Sequence, residues 1–252
     1  MTTDTPRRPI LAEFTGTALL VTAVVGSGVM AATLSPNDVG LQLLENSVAT
    51  ALALSALILI FGPVSGAHFN PMVSVADWFL GRRTRSGLTA TQLAGYVVAQ
   101  TAGAIAGSIL ANLMFALPAV EWSSKHRAAG HLWLGEVVAT TGLILLVFAL
   151  AQSGRAAVAP AAVGAYIGAA YWFTSSTSFA NPAVTIGRAF TDTFAGIAPS
   201  SVPGFVLAQF GGLLIGVALL LALYPGVGQA AERVVVTHQP IEPAGGRTVH
   251  SP

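Results

Sequence analysis

Cysteine is absent from the 252 residues, which excludes disulfides, thiolate nucleophiles, iron–sulfur clusters and zinc–thiolate sites and leaves the redox compartment open. Charge is scarce too. Only 8% of the residues are Asp, Glu, Lys or Arg, against about 25% in an ordinary soluble domain. The formal net charge is +1 and no cluster of Lys and Arg is laid out for phosphates, so a nucleic-acid partner is a poor reading. What fills the chain is apolar: 54% of it comes from AVILMFWYC, with 27 glycines besides. A mean hydropathy of +0.72 belongs to an integral membrane protein.

A helix crosses the hydrocarbon core with roughly 20 apolar residues. Six stretches approach or exceed that length, approximately Ile10 to Leu34, Ser47 to Phe61, Thr91 to Leu117, Leu132 to Gln152, Ala156 to Phe173 and Pro203 to Tyr224. The opening MTTDTPRR is too polar for the core of a signal peptide, and it reads as a short arm before the first span. After Pro225 the chain loses periodicity and gathers Pro and Gly, as a mobile tail does.

Two shorter apolar pieces, HFNPMVSVADWFL and FANPAVTIGRAF, lie between the second and third spans and between the fifth and sixth. They are too short to cross, and each carries Asn-Pro near its start. Proline suits the first turn of a helix, so each piece reads as extended chain entering a half-helix. Non-helical backbone survives at membrane depth only where protein buries it or a water-filled cavity adjoins it. The two halves also repeat. Glu13 aligns with Glu136, Asn70 with Asn181 and Gln100 with Gln209, with Asn-to-Gln separations of 30 and 28 residues. Three spans per half place the second half upside down relative to the first, an inverted repeat with a permeation site expected near its midplane. The predicted fold is an all-α membrane protein of six transmembrane helices and two re-entrant half-helices. Its segments are a cytoplasmic arm (1–9), a first repeat (10–117), an extracellular loop (118–130), a second repeat (131–224) and a mobile cytoplasmic tail (225–252). Eight of the eleven cations, Arg7, Arg8, Arg82, Arg83, Arg85, Arg155, Arg233 and Arg247, then share one side, which the positive-inside rule makes cytoplasmic.

Half-helix N-termini meeting in mid-membrane aim two positive dipole ends at one point, where cations and protons are repelled. Asn70 and Asn181 cap their half-helices and present amide N–H groups to a neutral molecule with a lone pair. A single Asn-Pro would merely start a helix; two at matched repeat positions argue for more. No Gly-x-Ser-Gly with a histidine partner, HExxH or facing aspartyl pair is present, so no enzyme, catalytic residue, metal site or cofactor is expected.

SGAHFNPMVSVAD and SFANPAVTIGRAF resemble the Asn-Pro-Ala loops of the aquaporin (major intrinsic protein) family, and AEFTGT and the paired glutamines extend the likeness over about residues 10 to 224. The resemblance implies a homotetramer with a pore in each protomer, in a bacterial inner membrane, passing water and small neutral solutes. It assigns the mid-pore to Asn70, Pro71, Met72, Asn181, Pro182 and Ala183. Met72 replaces the usual alanine, and Val184 stands where the family's constriction arginine follows Asn-Pro-Ala. Counting from the asparagines puts the rest of the constriction at Thr50, Ala169 and Ser178, a small-sided, arginine-free and therefore wide ring. Such a ring resembles a bacterial subgroup associated with arsenic-resistance operons, which by analogy adds arsenicals to glycerol and urea as candidate solutes.

Asp77 and Arg188 each lie seven residues after their asparagine, about 10 Å along the same helix face. They are either inner and outer pore mouths or ordinary charges at half-helix ends. Glu13 and Glu136, ionisable inside apolar spans, are read as scaffold groups accepting hydrogen bonds from the irregular loops, with a direct functional role as the alternative. His68 is a loop hydrogen-bonding group or a pH-sensitive gate. Inverted repeats with broken helices also occur in ion- or proton-coupled transporters, but no carboxylate or base adjoins Asn70 or Asn181.

Overall fold

The computed structural model describes residues 7–82, 84 and 86–224, and all regular structure among them is helical. The helices are α1 (Arg7–Leu34), α2 (Val39–Ser65), α3 (Pro71–Gly81), α4 (Ala90–Met114), α5 (Gly130–Gln152), α6 (Ala159–Phe173), α7 (Pro182–Gly187) and α8 (Val202–Leu223). Single 3₁₀ turns precede α6 and α8 and extend α7 through Arg188–Phe190. Six of these helical segments are long and apolar enough to cross a membrane, as expected where each backbone N–H must find its partner within its own helix.

Helix ends follow local chemistry. The first helix already includes Arg7, Arg8 and Pro9 of the arm expected over 1–9; the arm's first six residues, and the tail expected over 225–252, lie outside the described residues. The second helix begins well before Ser47 because the Asp38 carboxylate accepts the Leu41 N–H at 2.9 Å and caps it. It runs on through Pro63 until Gly66, in the left-handed region at φ 89°, closes it. Thr89 and Gln92 form a reciprocal capping box at the start of α4.

Helix α1 packs on α2 and α4, α5 packs on α8, and α2 packs on α6. The α1–α4 and α5–α8 contacts are repeat equivalents, each made close by glycine. A Cβ on Gly103 would collide with the Phe14 carbonyl, and one on Gly212 would lie 2.6 Å from the Val137 carbonyl oxygen, so neither helix pair tolerates a side chain there. Leu11, Leu52, Leu59, Val98, Leu134 and Leu207 are exposed on the outer faces, an apolar surface suited to lipid. The core closes around α3 and α7, whose Val73, Ala76, Leu80 and Ala183 are buried among the long helices.

Candidate functional site

Two loops, residues 66–69 and 177–180, enter the half-helices, and each is built around a buried glutamate. Glu13 accepts from Ser65 Oγ at 2.6 Å, His68 N at 3.0 Å, Phe69 N at 2.7 Å and Gln100 Nε2 at 2.7 Å. Glu136 accepts from Phe179 N at 2.8 Å, Ala180 N at 2.8 Å and Gln209 Nε2 at 2.6 Å. Ser74 Oγ and Thr185 Oγ1, each four residues past its asparagine, take the second bond from the same glutamine nitrogens at 2.9 Å. These anchors hold Ala67, Phe69, Ser178 and Ala180 in the left-handed region at φ 48–50°, a conformation that costs about 1–3 kcal/mol at each non-glycine residue.

With their N–H groups drawn back to the glutamates, the loops turn their other edge inward. The carbonyls of Gly66, Ala67 and His68, and of Thr177, Ser178 and Phe179, accept no hydrogen bond from protein among the described residues. The next carbonyl in each loop is taken by the opposite half: Asn70 Nδ2 donates to Ala180 O at 2.8 Å and Asn181 Nδ2 to Phe69 O at 2.7 Å. Each asparagine Oδ1 caps its own half-helix, from Met72 N at 2.9 Å and from Ala183 N at 3.0 Å. Each amide therefore keeps one N–H for a visitor.

Both asparagines line a cavity of about 100 Å³ that runs from the α5–α6 turn, at Ala151 and Ala156, to Arg188. One wall is polar: the loop 66–69, Asn70, Ser178 and Asn181. The other is apolar, with Leu20, Val24, Leu54, Leu143, Val163 and Ile167. Pro71, Met72, Pro182 and Ala183 are buried in packing and do not reach it, which narrows the expected mid-pore set to the two asparagines.

Thr50, Ser178 and Val184 line the end nearest Arg188, but Ala169 is exposed on the far side of α6. Tyr171 occupies the cavity face instead, its hydroxyl 3.3 Å from Thr50 Oγ1. Two residues turn a helix by about 200°, so placing the constriction two residues early moved it to the opposite face. The cavity-facing series Val163, Ile167, Tyr171, at spacings of four, is the signal that identifies Tyr171. Asp77 is not among the residues lining this cavity. It is buried, accepts the Leu88 N–H at 2.7 Å and ties the end of α3 to the chain entering α4. Arg188 lines the cavity, as the pore-mouth alternative expected, and so adds a guanidinium near Val184. Its Nε donates to Ala195 O and its guanidinium lies 3.4 Å from the Phe179 ring centroid. His68, which also lines the cavity, is joined through Nδ1 to Ser74 Oγ at 3.0 Å and so to the Glu13 network.

Six spans surrounding a narrow, mostly apolar passage with one polar wall, between facing half-helices, define a membrane channel. The major intrinsic protein family model matches residues 1–178, and the chain belongs to that family. It is 51% identical over 228 residues to the aquaglyceroporin AqpS of Rhizobium meliloti (strain 1021), covering 90% of this chain and 93% of that protein. It is 32% identical over 239 residues to the glycerol uptake facilitator protein of Pseudomonas aeruginosa, covering 81% of this chain and 82% of the other. Among solved structures, the aquaglyceroporin from Plasmodium falciparum shares the fold, with a TM-score of 0.64 at 19% identity over 90% of this chain and 99% of that one. The protein is thus a multi-pass membrane channel of a family passing small neutral solutes, and not an enzyme.

Proposed function

We propose that the chain is a passive channel for glycerol-sized neutral polyols and water, with Asn70 and Asn181 as the donors at its midpoint. The observation carrying this reading is the two-faced lining: uncommitted loop carbonyls and amide N–H groups along one wall, aliphatic side chains along the other. A polyol has the same division, hydroxyls on one edge and a hydrocarbon backbone on the other, so it can exchange water for lumen hydrogen bonds without stranding its carbon chain. Names borne by relatives, an aquaglyceroporin and a glycerol uptake facilitator, agree with that choice. The outer selectivity region comprises Thr50, Tyr171, Ser178, Phe179, Val184 and Arg188. Arsenicals stay a candidate solute by analogy, because Val184 stands where the family's constriction arginine directly follows Asn-Pro-Ala. We further infer a homotetramer in a bacterial inner membrane from the family and its bacterial relatives, and cytoplasmic termini from the distribution of cations.

Stopped-flow light scattering of proteoliposomes tests this against water, glycerol, urea and a hexitol. Glycerol and water are expected to cross well above protein-free liposomes and the hexitol at the protein-free rate. Glycerol crossing no faster than in empty liposomes refutes the reading.

A further inference from the structure

Beyond Arg188 a second, wider cavity of about 420 Å³ opens between the start of α2 and the outer loops. Three cations line it, Lys125, Arg127 and Arg188, and no carboxylate does. The two arginines are held alike. Arg127 Nε donates to Gly196 O at 3.1 Å, Arg188 Nε donates to the adjacent Ala195 O, and both guanidiniums rest near the Phe179 ring, at 5.2 Å and 3.4 Å from its centroid. Their terminal nitrogens meet no protein acceptor among the described residues, although Arg188 is only 3% exposed.

The nearest carboxylates, Glu136 and Asp192, act on this cluster through space only, with no ion pair to Lys125, Arg127 or Arg188 among the described residues. Glu136 is committed to the loop N–H groups and Gln209, Asp192 accepts from Ser123 and Ser124, and Glu45 accepts from Ser35. Burial and the neighbouring Arg127 and Arg188 hold the Lys125 ammonium below its ordinary pKa, although Asp192 pulls the other way. A concave site lined by one sign of charge concentrates counter-ions, and paired guanidiniums with free edges match the two oxygens of a carboxylate.

We propose that this vestibule is a binding site for small monocarboxylate anions, held by Arg127 and Arg188 with Lys125 at the entrance. A bound anion lies across the boundary that Arg188 forms between the two cavities, so it obstructs neutral solutes entering from that side. The obstruction, unlike the binding, rests on the channel reading.

The test pairs calorimetric titration of the purified full chain with sodium lactate at constant ionic strength and glycerol flux into proteoliposomes with lactate outside. Lactate is expected to bind, neutral lactamide not to, and Arg127→Gln to weaken lactate about tenfold, the scale of one lost charge-assisted contact. Lys125→Gln, at an exposed position, is expected to weaken it severalfold and carries the test if Arg127→Gln does not fold. Glycerol influx is expected to fall as lactate saturates. No lactate binding, equal binding of lactamide, affinity unchanged in the folded variants, or binding without any fall in flux would each overturn the proposal. Absence of glycerol flux before lactate is added would refute the channel reading while the titration still judges the site.

Discussion

At the scale of single residues, each of the two asparagines caps its own half-helix and cross-links the opposite loop, and in the proposed channel each has a third use, as donor to the lumen. Asn181→Asp keeps the cap oxygen but removes the Nδ2 bond to Phe69 O, and it sets a carboxyl group where the positive ends of α3 and α7 converge. Glycerol permeability is expected to drop about tenfold, a loss of roughly one hydrogen bond's free energy, and reversal potentials in oocytes are expected to show cation leakage. An unaltered permeability together with a cation-tight membrane would contradict the role given to Asn181. The glutamates work through the backbone instead. Glu13→Gln or Glu136→Gln preserves shape but weakens bonds to the loop N–H groups, each worth about 1.5–3 kcal/mol when charge-assisted. Thermal stability in detergent is therefore expected to fall while the glycerol-to-water ratio stays within about twofold; a shifted ratio at unchanged stability would make these glutamates part of the filter. The asparagines and glutamates were legible in the sequence because the repeat sets them at matched places. Tyr171 was not, since the loop between α6 and α7 carries left-handed residues at Thr177, Ser178 and Ala180 and its path cannot be counted in helical steps.

Among elements, the half-helices depend on how closely their neighbours approach. Gly103 on α4 and Gly212 on α8 sit three residues past the glutamines that bind the glutamates, each against the carbonyl of the residue after its glutamate. The same spacing in both halves lets one short contact set the depth of each loop. Gly103→Ala and Gly212→Ala are each expected to cost about 1–3 kcal/mol by overpacking, read as a lower melting temperature in detergent. A double substitution is expected to cost the sum, because the two contacts lie in different helix pairs. Full stability in either variant would mean that the helices can separate freely there. The six long spans were readable from length and hydropathy alone, whereas the early start of α2 depended on an aspartate cap and the brevity of α7 on a 3₁₀ turn at Arg188. Arg188 itself reaches the cavity because Ala195 and Phe179 fix its side chain, a choice of rotamer that seven-residue spacing left open.

For the whole molecule, the inverted repeat makes two near-identical frames but gives them different ends. The residue two before each asparagine is His68 on one side and Phe179 on the other, and only Phe179 is flanked by two guanidiniums. The cationic vestibule adjoins the Phe179 loop, and among the described residues the cavity that holds the asparagines is lined by no charged side chain other than Arg188. A coupled transporter would need such a group beside the asparagines to tie solute movement to an ion. The measurement that decides this is uptake of radiolabelled glycerol into proteoliposomes under an imposed pH or sodium gradient. The account predicts equilibration to equal concentrations inside and out, at a rate proportional to the glycerol gradient and the same with either ion gradient or none. Accumulation of glycerol above the external concentration when the pH or sodium gradient is applied would contradict it.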